Sequence, residues 1–251
     1  MERTPSLGWL LARPIAHRAL HDVAAGRIEN MPSAVDAAIE GNYGIEVDVQ
    51  LAADGEVVVF HDDNLDRLTT ATGPVKALTG RQLQSLTFRG TTETMMTLSD
   101  LLTRVEGRVP LLIELKSGFD GDISVVERAC TRLAGYRGPV AMMSFDPVLV
   151  AALRRIAPHM PRGITMEHHY EDPEWDFLSP ETKFAWGQLR HAPETRPHFL
   201  AHYVKELDSP VATMARAVSG MPVLTWTVRT DQDRQMARRH ADQIIFEGFR
   251  P

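Results

Sequence analysis

At 251 residues, with 43% hydrophobic and 24% charged residues, the chain carries enough apolar material for a sizeable core, and its composition excludes a disordered polymer. A formal net charge of −6, from 27 Lys and Arg against 33 Asp and Glu, argues against a polyanion-coating role, so no nucleic-acid partner is expected. The single cysteine, Cys130, excludes an intrachain disulfide and suits a reducing compartment, which makes the cytoplasm the expected location.

Leu7, Trp9, Leu10 and Leu11 form an apolar run flanked by Glu2 and Arg13. It is too short for a signal core or a membrane span, so a cytosolic start and no stable membrane insertion are expected. Pro14 to Ala16 reads as a first strand that delivers His17-Arg18. Pro32 suits a helix first turn, and Ala34, Val35, Ala38 and Ile39 follow at helical spacing until Gly41-Asn42. Gly44 to Gln50 is the next strand. Within it Glu46 and Asp48 lie two apart and share a face, while Ile45, Val47 and Val49 take the other. Two acids facing inward are costly unless something cationic meets them. Asp54-Gly55 then turns the chain into Val57 to Phe60, which ends on His61-Asp62.

From about residue 62 to 98 the pattern weakens, which predicts a small insertion with a short helix near Thr79 to Leu86 and Asp66-Arg67 as a local ion pair. A helix over Thr97 to Val105 leads to the strand Leu111 to Leu115, where Glu114 and Lys116 repeat the two-apart geometry. Helix and strand then alternate: helix Ile123 to Leu133, strand Val140 to Met143, helix Pro147 to Ile156, strand Gly163 to Met166. Residues 167 to 198 are poorly legible; the His168-His169 pair there points in two directions and reads as a polar loop. Strand Phe199 to His202, helix Val211 to Val218, strand Val223 to Val228, helix Asp231 to His240 and strand Gln243 to Phe246 complete the chain.

Such alternation predicts a parallel α/β sheet, and the length favours one TIM-type (β/α)8 barrel over residues 1–251. Nine strand candidates exceed the eight required, so 57 to 60 or 199 to 202 is expected outside the ring. A doubly wound open sheet is the alternative, without a Gly-rich turn after the first strand to support it. In a barrel, polar residues at strand ends converge on one mouth. Here those are His17-Arg18, Glu46, Asp48, His61, Glu114, Lys116, Ser144, Asp146 and Trp226. Carboxylates without a thiolate favour a hard divalent cation, Mg²⁺ or Ca²⁺. Arg18 and Lys116 suit a phosphate oxygen, and His17 and His61 suit general acid/base work, so the reaction class is phosphodiester cleavage.

The sequence resembles the glycerophosphodiester phosphodiesterase family along nearly its whole length. The resemblance runs through IAHR at 15–18, EN at 29–30, GIEVDVQLAADG at 44–55, VVVFHDDNLDRLTTATGPV at 57–75, LLIELK at 111–116, SFDP at 144–147, TWTV at 225–228 and ADQIIFEGFRP at 241–251. It implies a TIM-type barrel and metal-dependent hydrolysis of glycerophosphodiesters, small-molecule substrates, to an alcohol and glycerol 3-phosphate. It further implies a divalent ion on Glu46, Asp48 and Glu114, acid/base catalysis by His17 and His61, Arg18 and Lys116 near phosphate, and Trp226 near the glycerol. The chain departs from the family where Ala19 stands for the usual Gly after HR, where Ile28 and Met31 flank EN, and in FEGFRP. A lyase releasing a cyclic phosphate and a non-catalytic phosphometabolite-binding barrel are the rival readings. Asn30 is expected either to cap the helix at Pro32 or to touch substrate, and Ser144 and Asp146 to be structural.

Overall fold

The computed structural model describes residues 5–251; Glu2 of the N-terminal run lies outside them. The strands are β1 (Ile15–Ala16), β2 (Gly44–Leu51), β3 (Val57–Val59), β4 (Leu111–Leu115), β5 (Val140–Ser144), β6 (Arg162–Met166), β7 (Phe199–Tyr203), β8 (Val223–Val228) and β9 (Gln243–Phe246). All except β3 run parallel, in the order β1-β9-β8-β7-β6-β5-β4-β2. Pairing of β1 with both β2 and β9 closes the ring. The fold is therefore the closed eight-stranded (β/α)8 barrel. Strand 199–203 belongs to the ring, and β3 lies outside it, antiparallel to β2 with Val49 opposite Val59 and Leu51 opposite Val57.

Period-2 alternation divides each ring strand between two cores. Ile45, Val47, Val49, Ile113 and Leu115 face outward against helices 32–40, 98–105 and 124–133. Leu112, Ala141, Met143, Ala201, Leu224 and Ile245 fill the barrel interior. Each fully buried aliphatic side chain contributes about 1.5–3 kcal/mol. Leu7 and Leu10 close the floor over Ile15 and Phe199. Gly163 is required there, because a Cβ would stand 2.2 Å from the Phe199 ring. The floor being apolar, polar residues of the same faces are left for the opposite, C-terminal end.

The helices begin where the sequence supplies caps. Thr79, Thr97 and Thr230 each close a capping box with the residue at N3, and Asp146 accepts from the Val148 amide ahead of helix 147–156. Helix 98–105 ends at Val105 as expected, with Glu106 left-handed at φ 50° as its C-cap. The insertion after β3 packs a core of its own from Met31, Val58, Phe60, Leu65, Val75, Leu83 and Phe88. Arg67 does not pair with Asp66: it binds Asp62 and Glu29, while Asp66 accepts from the Gly73 amide. Residues 167–198 resolve into short pieces, a 3-10 turn at Pro173–Trp175 and helices Pro180–Gly187 and Ala192–Thr195. None of the helices among the described residues is long and apolar enough to cross a membrane.

Candidate active site

The inward faces of β2 and β4 bring Glu46, Asp48 and Glu114 together at the top of the barrel, with register pairing Asp48 to Glu114. One oxygen from each lies within 4.8 Å of the others, and all three side chains are buried. Burial, reinforced by Asp48 and Glu114, pushes the Glu46 carboxyl well above its usual range. Burial raises Glu114 too, against the opposing pull of Lys116. Asp48 moves the other way: burial opposes ionisation, but His61, Lys116, Arg18 and His17 together hold it far below the carboxylate range. Two carboxyls with raised pKa values beside an ionised third describe an excess of negative charge in a dry place. An all-oxygen donor set of this kind fits a hard divalent cation.

The turn after β1 is bent tightly around the same acids. Arg18 and Ala19 both adopt left-handed backbone, φ 51° and 64°, as does Asn30 at 60°. Such conformations cost non-glycine residues energy and persist only where surroundings fix them. Here the Arg18 amide donates to Glu46 Oε2 at 2.8 Å, the Ala19 amide to the Glu46 carbonyl at 2.9 Å, and the Asn30 amide to the Arg18 carbonyl at 2.9 Å. Ala19 thus takes the turn without a glycine. Asn30 is buried and donates from Nδ2 to Asp48 Oδ2 at 3.1 Å; Met31, not Asn30, holds the N-cap position of helix 32–40.

Each histidine is oriented by a carboxylate. His17 Nδ1 lies 2.9 Å from Glu247 Oε2, and His61 Nδ1 lies 2.8 Å from Asp62 Oδ1. Both acceptors sit well below the usual range despite burial, Glu247 through His17, His21 and Arg229, Asp62 through His61 and Arg67. They are ionised at neutral pH and can only accept, so Nδ1 carries the proton on each ring and Nε2 is left for chemistry. Burial is the largest influence on His17 and lowers its pKa, although the Glu247 hydrogen bond opposes this. His61 reaches the mouth by an unexpected route. β2 overshoots the ring and β3 returns antiparallel, with the Phe60 amide donating to the Asp48 carbonyl at 3.0 Å, so the hairpin carries His61 back beside Asp48.

Arg18 donates to Glu29 at 2.8 Å and approaches Asp48 at 3.7 Å; Lys116 lies 3.2 Å from Glu114 and 3.8 Å from Asp48. Arg67 closes a chain from Arg18 through Glu29 to Asp62 and His61. Ser144 and Asp146 are buried in backbone and side-chain hydrogen bonds, as expected of structural groups: Ser144 donates to the Leu115 carbonyl and Asp146 accepts from Ser117. His169 and Glu206 pair at 2.7 Å, away from the three-carboxylate group. Trp226 donates from Nε1 to the Ala201 carbonyl at 2.9 Å and turns its ring to the cavity. The proposed residues therefore meet in one cavity of about 680 Å³ lined by His17, Arg18, Glu46, Asp48, His61, Glu114, Lys116 and Trp226. Sequence reading missed Glu247, Glu29, Asp62 and Arg67 as site residues. Glu247 was findable, since it follows β9 directly and alternation aims it inward with Ile245.

A closed parallel barrel whose mouth holds buried acids, carboxylate-held imidazoles and two cations places the chain among barrel hydrolases of phosphate esters. The sequence profile of the Glycerophosphoryl diester phosphodiesterase family matches residues 17–247. A glycerophosphodiester phosphodiesterase of Caldanaerobacter subterraneus subsp. tengcongensis is 30% identical over 248 residues, 92% of each chain. A Bacillus subtilis (strain 168) relative is 34% identical over 161 residues, which span 60% of this chain and 64%, somewhat under two thirds, of that one. Among solved structures, an Oleispira antarctica phosphodiesterase in complex with its product sn-glycerol-3-phosphate superposes with a TM-score of 0.76 at 20% identity, over 93% of this chain and 91% of that one. The Thermotoga maritima glycerophosphodiester phosphodiesterase gives 0.69 at 24%, over 92% of each. The chain belongs to the glycerophosphoryl diester phosphodiesterase family and is an enzyme of that class.

Proposed function

We propose that the protein hydrolyses glycerophosphodiesters to an alcohol and glycerol 3-phosphate, with His17 and His61 as the acid/base pair and a divalent cation, Mg²⁺ or Ca²⁺, on Glu46, Asp48 and Glu114. The observation that carries this reading is the matched pair of imidazoles, each held through Nδ1 by an ionised carboxylate and lining the same cavity as the three buried acids. The bound cation would supply electrophilic stabilisation of a phosphoryl oxygen. Arg18 and Lys116, already drawn to the site by its acids, add positive charge for the remaining phosphate oxygens.

Proton transfers follow from the tautomers. Burial favours neutral His17, which suits it to accept the proton of the glycerol hydroxyl next to the phosphate as that oxygen attacks phosphorus. His61 must then carry protons on both nitrogens, its Nδ1–H held by Asp62, and gives the Nε2 proton to the departing alcohol as the P–O bond breaks. Water then opens the cyclic phosphate with the two roles reversed, restoring both rings and releasing glycerol 3-phosphate. A cytoplasmic setting for this activity rests on the lone Cys130, and cell fractionation tests it.

Phosphorus NMR of reactions with glycerophosphodiesters, with chelator and after adding back Mg²⁺ or Ca²⁺, tests the whole scheme. Metal-dependent formation of glycerol 3-phosphate is expected. A cyclic phosphate that accumulates without opening contradicts hydrolysis, and absence of turnover in folded, metal-loaded protein contradicts catalysis.

A further inference from the structure

One wall of the cavity is built from rings. Phe119 follows β4, Phe145 follows β5, Trp175 and Phe177 belong to the segment after β6, and Trp226 stands on β8. The rings touch in series. Trp226 meets Phe145 edge-to-face at 5.3 Å, Phe145 meets Trp175 at 4.9 Å, Trp175 meets Phe119 at 6.0 Å, and Phe119 meets Phe177 at 5.0 Å. This makes a continuous aromatic wall in the cavity that also holds the three carboxylates. At its rim Phe177 is 55% exposed, a cost for a large apolar ring that a ligand would relieve.

The charge on this wall has one sign. Its ionisable side chains that line the cavity are Asp172 and Glu174, three residues and one residue before Trp175. The cavity's cations are engaged elsewhere: Arg18 with Glu29 and Asp48, Lys116 with Glu114 and Asp48, and Arg229 with Glu247 at 2.9 Å. Burial, with Glu206, Glu174 and Asp172 adding to it, pushes Glu167 just beyond β6 up to about 7. Aromatic faces are the negative poles of their rings and attract cations, quaternary ammonium groups above all. An anionic head group would be repelled here. A polyol would find few donors, since the Trp226 N–H is already bound to Ala201.

We propose that this aromatic wall binds the head group of the leaving alcohol and selects a quaternary ammonium cation, held between the ring faces and the carboxylates of Asp172 and Glu174. The assignment rests on the hydrolase reading above and specifies its substrate class: glycerophosphodiesters whose alcohol carries a trimethylammonium group.

The test compares kcat/KM for glycerophosphocholine with that for the diester whose quaternary nitrogen is replaced by carbon, the 3,3-dimethylbutyl ester of equal shape and no charge. It is run on the metal-loaded wild type, on Phe177→Leu and on the double variant Asp172→Asn with Glu174→Gln. All of these positions are exposed apart from the wall's buried rings, and Asn keeps the capping oxygen of residue 172. Leaving-group acidity differs between the two esters, but that difference is common to every protein and cancels when their ratios are compared. The wild type is expected to favour the cation by about tenfold or more, and the ratio is expected to fall at least about threefold in each variant. A ratio unchanged in the double variant overturns the cation assignment. Hydrolysis of both esters without preference in the wild type overturns it as well and leaves the hydrolase reading standing. Failure to hydrolyse either ester overturns the hydrolase reading and, with it, this one.

Discussion

Two excursions of the chain rise over the mouth of the barrel, and they are held there by different forces. The one between β3 and Thr97 has a core of its own, with Leu65, Val75, Leu83 and Phe88 fully buried, and is tied to the barrel by ion pairs through Arg67. The one from 167 to 198 meets the barrel through ring contacts of Trp175 with Phe119 and Phe145, and through hydrogen bonds near its two ends, the His168 amide donating to Glu206 and Arg162 Nε to the Thr195 carbonyl. Within it the backbone closes on itself: a Cβ on Gly187 would stand 2.1 Å from the His168 carbonyl. The first excursion fixes a titratable ring and its carboxylate partner. The second supplies apolar faces around whatever leaves. Reaction and selection are thus assigned to separate pieces of chain, and substitutions in each should leave different kinetic signatures.

The largest effects are expected where the first excursion meets the barrel. His61→Ala and His17→Ala should each lower kcat by about 10²–10⁴-fold, measured with the metal-loaded enzyme on a glycerophosphodiester. Turnover near wild type in either variant would remove that ring from the proposed roles. Chelation should abolish activity in both the wild type and the head-group variants, because the ion proposed on Glu46, Asp48 and Glu114 would serve every substrate. Restoration by Mg²⁺ or Ca²⁺ identifies the ion.

Glu247→Gln comes next. The carboxylate holds the His17 tautomer and raises the pKa that burial lowers. Its neutral replacement should cost roughly tenfold to hundredfold in kcat, as the loss of a charge-assisted hydrogen bond of about 1.5–3 kcal/mol predicts. The sign of the pH effect is fixed. Without Glu247 the His17 pKa drops further, and a base is active above its pKa, so the acidic limb of kcat/KM should move to lower pH. A fall in kcat with an unmoved acidic limb would mean that Glu247 only braces the turn after β9.

How much of this was open to sequence reading depends on periodicity. Glu46 and Asp48 sit two apart in a regular strand and Glu114 and Lys116 two apart at the end of another, so a common face followed from alternation alone; β2 and β4 bear it out for the three acids, and Lys116, just past β4, meets Glu114 and Asp48. The barrel followed from alternation of strands with helices, and the surplus strand resolved as β3 because a three-residue strand after a two-residue turn signal returns along its neighbour. Arg67 was misassigned to Asp66 since adjacency in sequence says nothing about side-chain direction in an irregular loop. The aromatic wall escaped notice because its rings come from three separate connections and one strand and share no spacing; only closure of the barrel brings Phe119, Phe145, Trp175 and Trp226 together.

Gly187→Ala probes the second excursion alone. The added methyl collides with the His168 carbonyl, a backbone atom that cannot swing aside, so the helix 180–187 must shift. A loss of about 1–3 kcal/mol is expected, read as a lower unfolding midpoint. The ratio of kcat/KM between choline-headed and neutral diesters should fall with it, since Trp175 and Phe177 ride on the displaced segment. If turnover of every substrate fell equally, the segment would be holding the reaction end as well, and the division of labour between the excursions would be wrong.

Arg67→Ala is the smallest and the most pointed test. The side chain is 47% exposed yet donates to both Glu29 and Asp62. As an exposed ion pair it should contribute only about 0.2–1 kcal/mol to stability, so the unfolding midpoint should drop by no more than about 4 °C. Its effect on catalysis has a different origin. Asp62 has two partners, and with Arg67 gone the carboxylate is free to rotate away from His61 Nδ1, leaving the ring without a fixed tautomer. A fall in kcat of about threefold to tenfold with KM nearly constant is expected, rescued in part by Arg67→Lys, which restores the charge without the fork that spans two acids. A variant that unfolds earlier but turns over normally would reduce Arg67 to a staple of the insertion. It would also mean that the first excursion positions His61 through its packed core alone.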